Sequence, residues 1–308
     1  MAQGIVNRLV PATAFSLGVI RALVEATFLI SVLFTSFSAL GHLPVTIFRP
    51  TGAMKLLPWS VYDYLLKPYP MEIFKWMLVI VLLFATVGFL TSFATKLALL
   101  LVVFYQGVLR SFGHFNHDEM LAIYYLGLLA FTPCGDGFSI DSLLASERRE
   151  RPTFAYSYPV LLMWVLMSWT YFSSALIKIR VAGLKYLSPD NLPTLAIFHS
   201  LDNLHDTHFK LAFWLPQVRQ YLPLVVLVVL LWELLFPLVI FKRWRPWLLG
   251  FGIVFHLSTL FLMNIFFPFQ LAMYLVFVDW DRLRVRLGKS VNSPAHQVSL
   301  ELEPTSLS

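Results

Sequence analysis

The sequence predicts an all-α fold, a polytopic membrane helical bundle of about eight transmembrane helices with both termini cytoplasmic. Three observations predict it. Apolar types make up 58% of the 308 residues, and the 14 glycines bring the share to about 63%, against roughly 45–50% in a soluble domain. Charged residues are 13%, about half the usual share. A soluble globule of this length cannot hide so much apolar surface and stay dissolved. The third observation is charge asymmetry. With the N-terminus inside, twelve Lys and Arg fall on the inner side and seven on the outer side. The dense clusters RRER (148–151), KRWR (242–245) and RLRVRLGK (282–289) all share the inner side, the positive-inside arrangement. The net charge of +6 therefore points to membrane orientation and not to nucleic acid. A single cysteine, Cys134, excludes an internal disulfide and a Cys-rich metal site.

The spans follow in order. The apolar run 12–40 is too long for a signal peptide and reads as the first span, over 14–40. Arg21 and Glu25 lie four apart within it, on one helix face, where they can pair. The next spans are expected at 71–93 and 96–113. The third ends, and the fourth (117–133) begins, in RSFGHFNHDEM, which crowds Arg110, His114, Asn116, His117, Asp118 and Glu119 together. If Asn116 or His117 caps the fourth span, the two acids sit in its first turn, where the helix dipole favours them. Capping explains one of these groups, and the rest form a candidate functional cluster. The fifth span, 156–178, ends in YFSSALIKIR. Lys178 there shares a helix face with Ser174 and Tyr171, so it reads either as an interfacial anchor or as a functional base. The sixth span, 221–241, holds Glu233 and, four residues on, Pro237, which can open the backbone. The seventh, 246–264, holds His256 near mid-depth, and the eighth, 265–279, is short and nearly continuous with it. Ionisable groups inside a span are costly and each asks for a reason.

The outer loop 187–220 leaves room for a re-entrant or interfacial helix. It carries HSLDNLHDTHF, in which His205 and His208 have metal-ligand spacing and His199 lies nearby. Such spacings arise by chance in a long loop, and no metal is expected. No GxGxxG, P-loop, HExxH or CxxC is present. Residues 291–308 are polar and aperiodic and read as a disordered cytoplasmic tail. Arg110, Lys178, His117 and His256 converge in the outer half of this topology, where a pocket would sit.

Three strings together resemble a known family. They are NHDEMLAIYYLGLLAFTPCGDGFSID (116–141), YFSSALIKI (171–179), and ELLFPLVIF (233–241) with FHLSTLFLMNIFFPFQLAM (255–273). In this order and spacing the chain resembles the HTTM membrane domain of the vitamin K-dependent gamma-glutamyl carboxylase family, over 1–290, and is similar to its short bacterial members. The resemblance implies a cofactor of reduced vitamin K or menaquinone, with O2 and CO2 as co-substrates. It implies that the quinol is deprotonated and epoxidised while a peptide glutamate is carboxylated. A cofactor is needed because no side chain is basic enough to remove a carbon-bound proton. The resemblance makes Lys178 the base, with Asn116, His117 and His256 catalytic; Phe255, with the polar candidates Arg110, His114, Tyr171 and Ser174 read from the spans, is expected to hold the cofactor. The chain departs from the family at Ile177 and Ala175, beside the base, and at Arg180, Val181 and Ala182 after it. It also ends about 30 residues past the last span, without the family's extramembrane domain. The expected partners are the lipid bilayer and a peptide substrate. The location implied is the plasma (inner) membrane of a bacterium. A carrier or channel, or a non-catalytic partner in peptide-toxin maturation, are the rival readings.

Overall fold

The computed structural model describes residues 2–113, 118–145, 151, 153–202 and 210–291. Among them every regular element is helical and no strand occurs. In chain order the α-helices are α1 Ala2–Leu9, α2 Ala14–Phe34, α3 Phe37–Gly41, α4 Trp59–Leu65, α5 Pro68–Val87, α6 Thr91–Ser111 and α7 Asp118–Ala130. They continue with α8 Ile140–Leu144, α9 Phe154–Ala182, α10 Asn191–Asp202, α11 Leu222–Leu235, α12 Arg245–Met263, α13 Pro268–Met273 and α14 Trp280–Val291.

Six helical stretches are long and apolar enough to cross a bilayer: Ala14–Phe34, Pro68–Val87, Thr91–Ser111, Phe154–Leu187, Leu211–Ile240 and Arg245–Met263. The remaining two expected spans are shorter. α7 has 13 residues, about 20 Å of helix against a hydrocarbon core of about 30 Å. α13 with its 3-10 extension covers only Pro268–Phe277. Both pack against the bundle interior, where Leu121, Tyr125, Leu126, Phe269 and Met273 are buried, so protein covers much of their length.

Boundaries shift for local reasons. The first run does not continue to residue 40, because Thr35 and Ser36 adopt extended backbone before α3 restarts. The fifth run is longer than expected, since α9 passes Lys178 and continues as a 3-10 turn over Gly183–Leu187. Pro237 does open the backbone, and the sixth run changes from α11 to a 3-10 helix at Phe236–Ile240. The 187–220 loop holds α10 and a 3-10 segment, Leu211–Tyr221. α1 and α14, near the two ends of the chain, are helices outside the expected spans, and α14 packs against the start of α2. Of the expected tail only Val291 is described, and 292–308 lie outside the described residues.

The bundle is held by an apolar core, with Leu17, Phe28, Leu78, Leu82, Val102, Met163 and Phe236 almost wholly buried. Ile80, Leu100, Val165, Leu224 and Val254 face outward, as a bilayer solvent allows. Arg21 and Glu25 do pair, at 3.5 Å, and neither is exposed. Arg21 also donates to Phe138 O at 2.7 Å, and Glu25 accepts from Thr95 Oγ1 at 2.8 Å.

Candidate functional site

Two turns of α9 set the site. Helical spacing puts Tyr171, Ser174 and Lys178 on one stripe, and α11, α12 and α13 each bring one polar group to it. From α11, Glu233 Oε1 accepts from Lys178 Nζ at 2.5 Å and from Ser174 Oγ at 3.3 Å. From α12, His256 Nε2 lies 2.7 Å from the Tyr171 hydroxyl. From α13, Gln270 Nε2 donates to Tyr171 Oη at 3.0 Å. Tyr274, just beyond α13, places its hydroxyl 2.6 Å from the same oxygen. This close approach needs Gly252 on α12, because a Cβ there would lie 2.1 Å from the Tyr274 hydroxyl.

Tyr171 has one proton and accepts from Gln270. The proton goes either to His256 Nε2, with Tyr274 donating back, or to Tyr274, with His256 donating. In both arrangements three elements are joined through one phenol oxygen. Asp118 extends the network: its carboxylate accepts from the backbone N–H groups of Phe269 at 3.1 Å and Gln270 at 2.7 Å, capping α13.

Two buried atoms in this region have no hydrogen-bond partner, His256 Nδ1 and Glu233 Oε2. Leaving them so costs free energy. Aromatic rings wall the region. Tyr171 packs on both Trp232 and Phe236, with centroids at 4.7 and 4.3 Å, and His256 meets Phe267 at 5.2 Å. Phe255 packs on Trp232 at 5.3 Å. The Lys178 side chain is 25% exposed and Glu233 3%. Lys178 therefore sits in an ion pair that is open on the lysine side and closed on the glutamate side.

Of the residues singled out from sequence, Lys178, Ser174, Tyr171, His256 and Phe255 come together. Arg110 does not join them. It ends α6, where its charge acts on Glu119 of α7. His114, Asn116 and His117 lie outside the described residues, as do His205 and His208. Among the described residues no group of three metal-ligating side chains occurs. Sequence reasoning missed Gln270 and Tyr274 as site residues and did not pair Glu233 with Lys178. Gln270 carried a usable signal, as an uncharged polar group inside an apolar run.

The long apolar helices mark a multi-pass helical membrane protein, with a polar site built where α9, α11, α12 and α13 meet. No family model, curated protein or solved structure matches the chain, so the likeness to the carboxylase membrane domain rests on the residue strings.

Proposed function

We propose that the protein is an integral membrane enzyme of the quinol-dependent, carboxylase-like kind, which deprotonates a reduced naphthoquinone and couples its oxidation to modification of a peptide. The observation that carries this reading is the pairing of Lys178 with buried Glu233 beside a Tyr171–His256 network with two unsatisfied buried atoms. A flat, aromatic ligand with a hydroxyl at each end suits that arrangement. Aromatic walls offer its rings stacking partners, and His256 Nδ1 and Glu233 Oε2 offer polar contacts.

Lys178 would take the quinol proton. To do so it first hands its own proton to Glu233, across 2.5 Å, and the pair stays neutral overall. Ser174 holds Glu233 in place. His256, fixed through Tyr171 and Gln270, would hold or move a proton at the other end. When bound, the quinol with O2 supplies the strong base that no side chain can provide, and it leaves as the epoxide.

The proposal includes eight passes with both termini cytoplasmic. Contacts that tie the starts of α2, α6, α9 and α14 together support it. Thr13 Oγ1 donates to Asp281 at 2.5 Å, Thr91 N to Asp141 at 2.7 Å, Ala12 N to Ser157 Oγ at 3.2 Å, and Arg151 pairs with Asp136 at 2.6 Å. Such contacts ask α7 and α13 each to return the chain to one face, the face that carries the basic clusters.

The test is solvent extraction of the purified protein, followed by mass spectrometry for naphthoquinone and its epoxide. The reading predicts co-purified quinone in wild type and its loss in His256→Ala. A protein that neither retains nor converts a quinone would refute it.

A further inference from the structure

The end of the bundle opposite Lys178 carries a partly open cavity of about 1690 Å³, which the proposed chemistry does not use. It lies between the starts of α2, α6 and α9, the 131–145 segment and α14. Its walls are firmly built. Arg21 clamps Phe138 O, and Ser139 Oγ donates to Gly135 O at 2.6 Å. The 131–145 segment presses on α2 so closely that a Cβ at Gly18 would fall 1.9 Å from Gly137 O.

Three acids and three bases line the cavity. The acids are already engaged. Asp141 accepts from Leu90 N, Thr91 N and Thr91 Oγ1 at 2.9, 2.7 and 2.7 Å. Asp281 accepts from Thr13 Oγ1 and Ser16 Oγ at 2.5 and 2.7 Å. Asp136 takes Arg151 at 2.6 Å and the Tyr156 hydroxyl at 3.1 Å. Two of the bases retain donor capacity. Lys96 donates only to Ser92 Oγ among the described contacts, and Arg284 rests on the ring face of Phe15 at 4.6 Å, which leaves its in-plane N–H groups available. Thr86 Oγ1, also in the lining, has no hydrogen-bond partner. The lining charges balance, and what suits the cavity to an oxyanion is the free N–H donors of Lys96 and Arg284, which no lining acid takes up.

The rim distinguishes a lipid from a soluble anion. Phe131, Phe138 and Leu143 line the cavity and are highly exposed, and Leu144 beside them is exposed too. In water this would be an unfavourable patch. In a bilayer such a rim suits the level just beneath the headgroups, where the acyl chains begin. α14 continues the same surface with exposed Arg282 and Arg286 flanking exposed Val285, the pattern of a basic interfacial helix.

We propose that this cavity binds the phosphate headgroup of an anionic lipid of the leaflet it faces, with Lys96 and Arg284 as the phosphate ligands and the Phe131–Leu143 rim against the acyl chains. The proposal stands apart from the quinol reading, because it uses none of the same residues.

The test is native mass spectrometry of the full chain in detergent, with phosphatidylglycerol or phosphatidylcholine of identical chains. Phosphatidylglycerol should be retained about tenfold more than phosphatidylcholine, and Lys96→Gln with Arg284→Gln should abolish the difference. Both side chains are exposed, so the double variant should keep the wild-type melting temperature. Arg282→Gln with Arg286→Gln, outside the cavity lining, should keep the preference. Equal retention of the two lipids would overturn the proposal, as would a preference that survives in the double variant. Displacement of the lipid by millimolar inorganic phosphate would assign the site to a soluble anion and overturn the lipid assignment.

Discussion

Arg21 and Glu25 sit at full burial on one turn of α2, and each reaches beyond the other: Arg21 to Phe138 O, Glu25 to Thr95. Neutralising Glu25 would strand a guanidinium in the bundle. Glu25→Gln should therefore cost roughly 3–5 kcal/mol and lower the melting temperature in detergent clearly. A variant as stable as wild type would show that the pair is not structural. Cys134 makes a second prediction at this scale. Burial, and then the negative charge of Glu25, push its thiol up to about 12. Maleimide should leave it unlabelled in the folded protein and label it fully in denaturant. The Arg21–Glu25 pair was legible in sequence because partners four apart share a helix face. The Lys178–Glu233 pair was not, because its partners are 55 positions apart and nothing in one sequence states which helices are neighbours.

Helix ends, more than helix interiors, explain how the elements dock. Asp118, the first residue of α7, caps α13 and so couples one short helix to the other. Asp118→Ala should cost about 0.5–2 kcal/mol and raise hydrogen exchange at Phe269 and Gln270, with little change at α5. Asp141 plays the same part for α6. Burial opposes its charge, but hydrogen bonds from Thr91 and Leu90, together with the Arg21 charge, outweigh that and hold its carboxyl below the ordinary 3.8. A depressed folded value means stability that is present at neutral pH and lost as pH falls through the acid range below 3.8. Asp141→Asn should flatten that acid limb of the melting-temperature curve, and an unchanged limb would contradict the cap. Long apolar runs made the six long helices readable. The same runs gave no warning that α7 and α13 would be short, since their deficit is met by burial inside the bundle, a tertiary effect. α1 and α14 escaped because their apolar residues are too few to read as spans.

At the scale of the molecule, polar chemistry is divided between two ends of one bundle, the Lys178 site and the Lys96–Arg284 cavity. Orientation is the first thing to fix. A cysteine placed at Arg151 should react only with a permeant reagent in intact cells, because buried Cys134 gives no background. Labelling by an impermeant reagent from outside would reverse the topology. The central claim is that Lys178 is a base and not an interfacial anchor, and arginine separates the two. It keeps the charge and the reach to Glu233, yet it does not give up its proton at any accessible pH. The most direct measurement is conversion of reduced naphthoquinone to its epoxide by the purified protein, comparing wild type with Lys178→Arg and Lys178→Ala at matched folding and insertion. The account predicts conversion by wild type and loss of at least about a hundredfold in both variants. Wild-type rates in Lys178→Arg, or no epoxide from the wild-type protein, would contradict it.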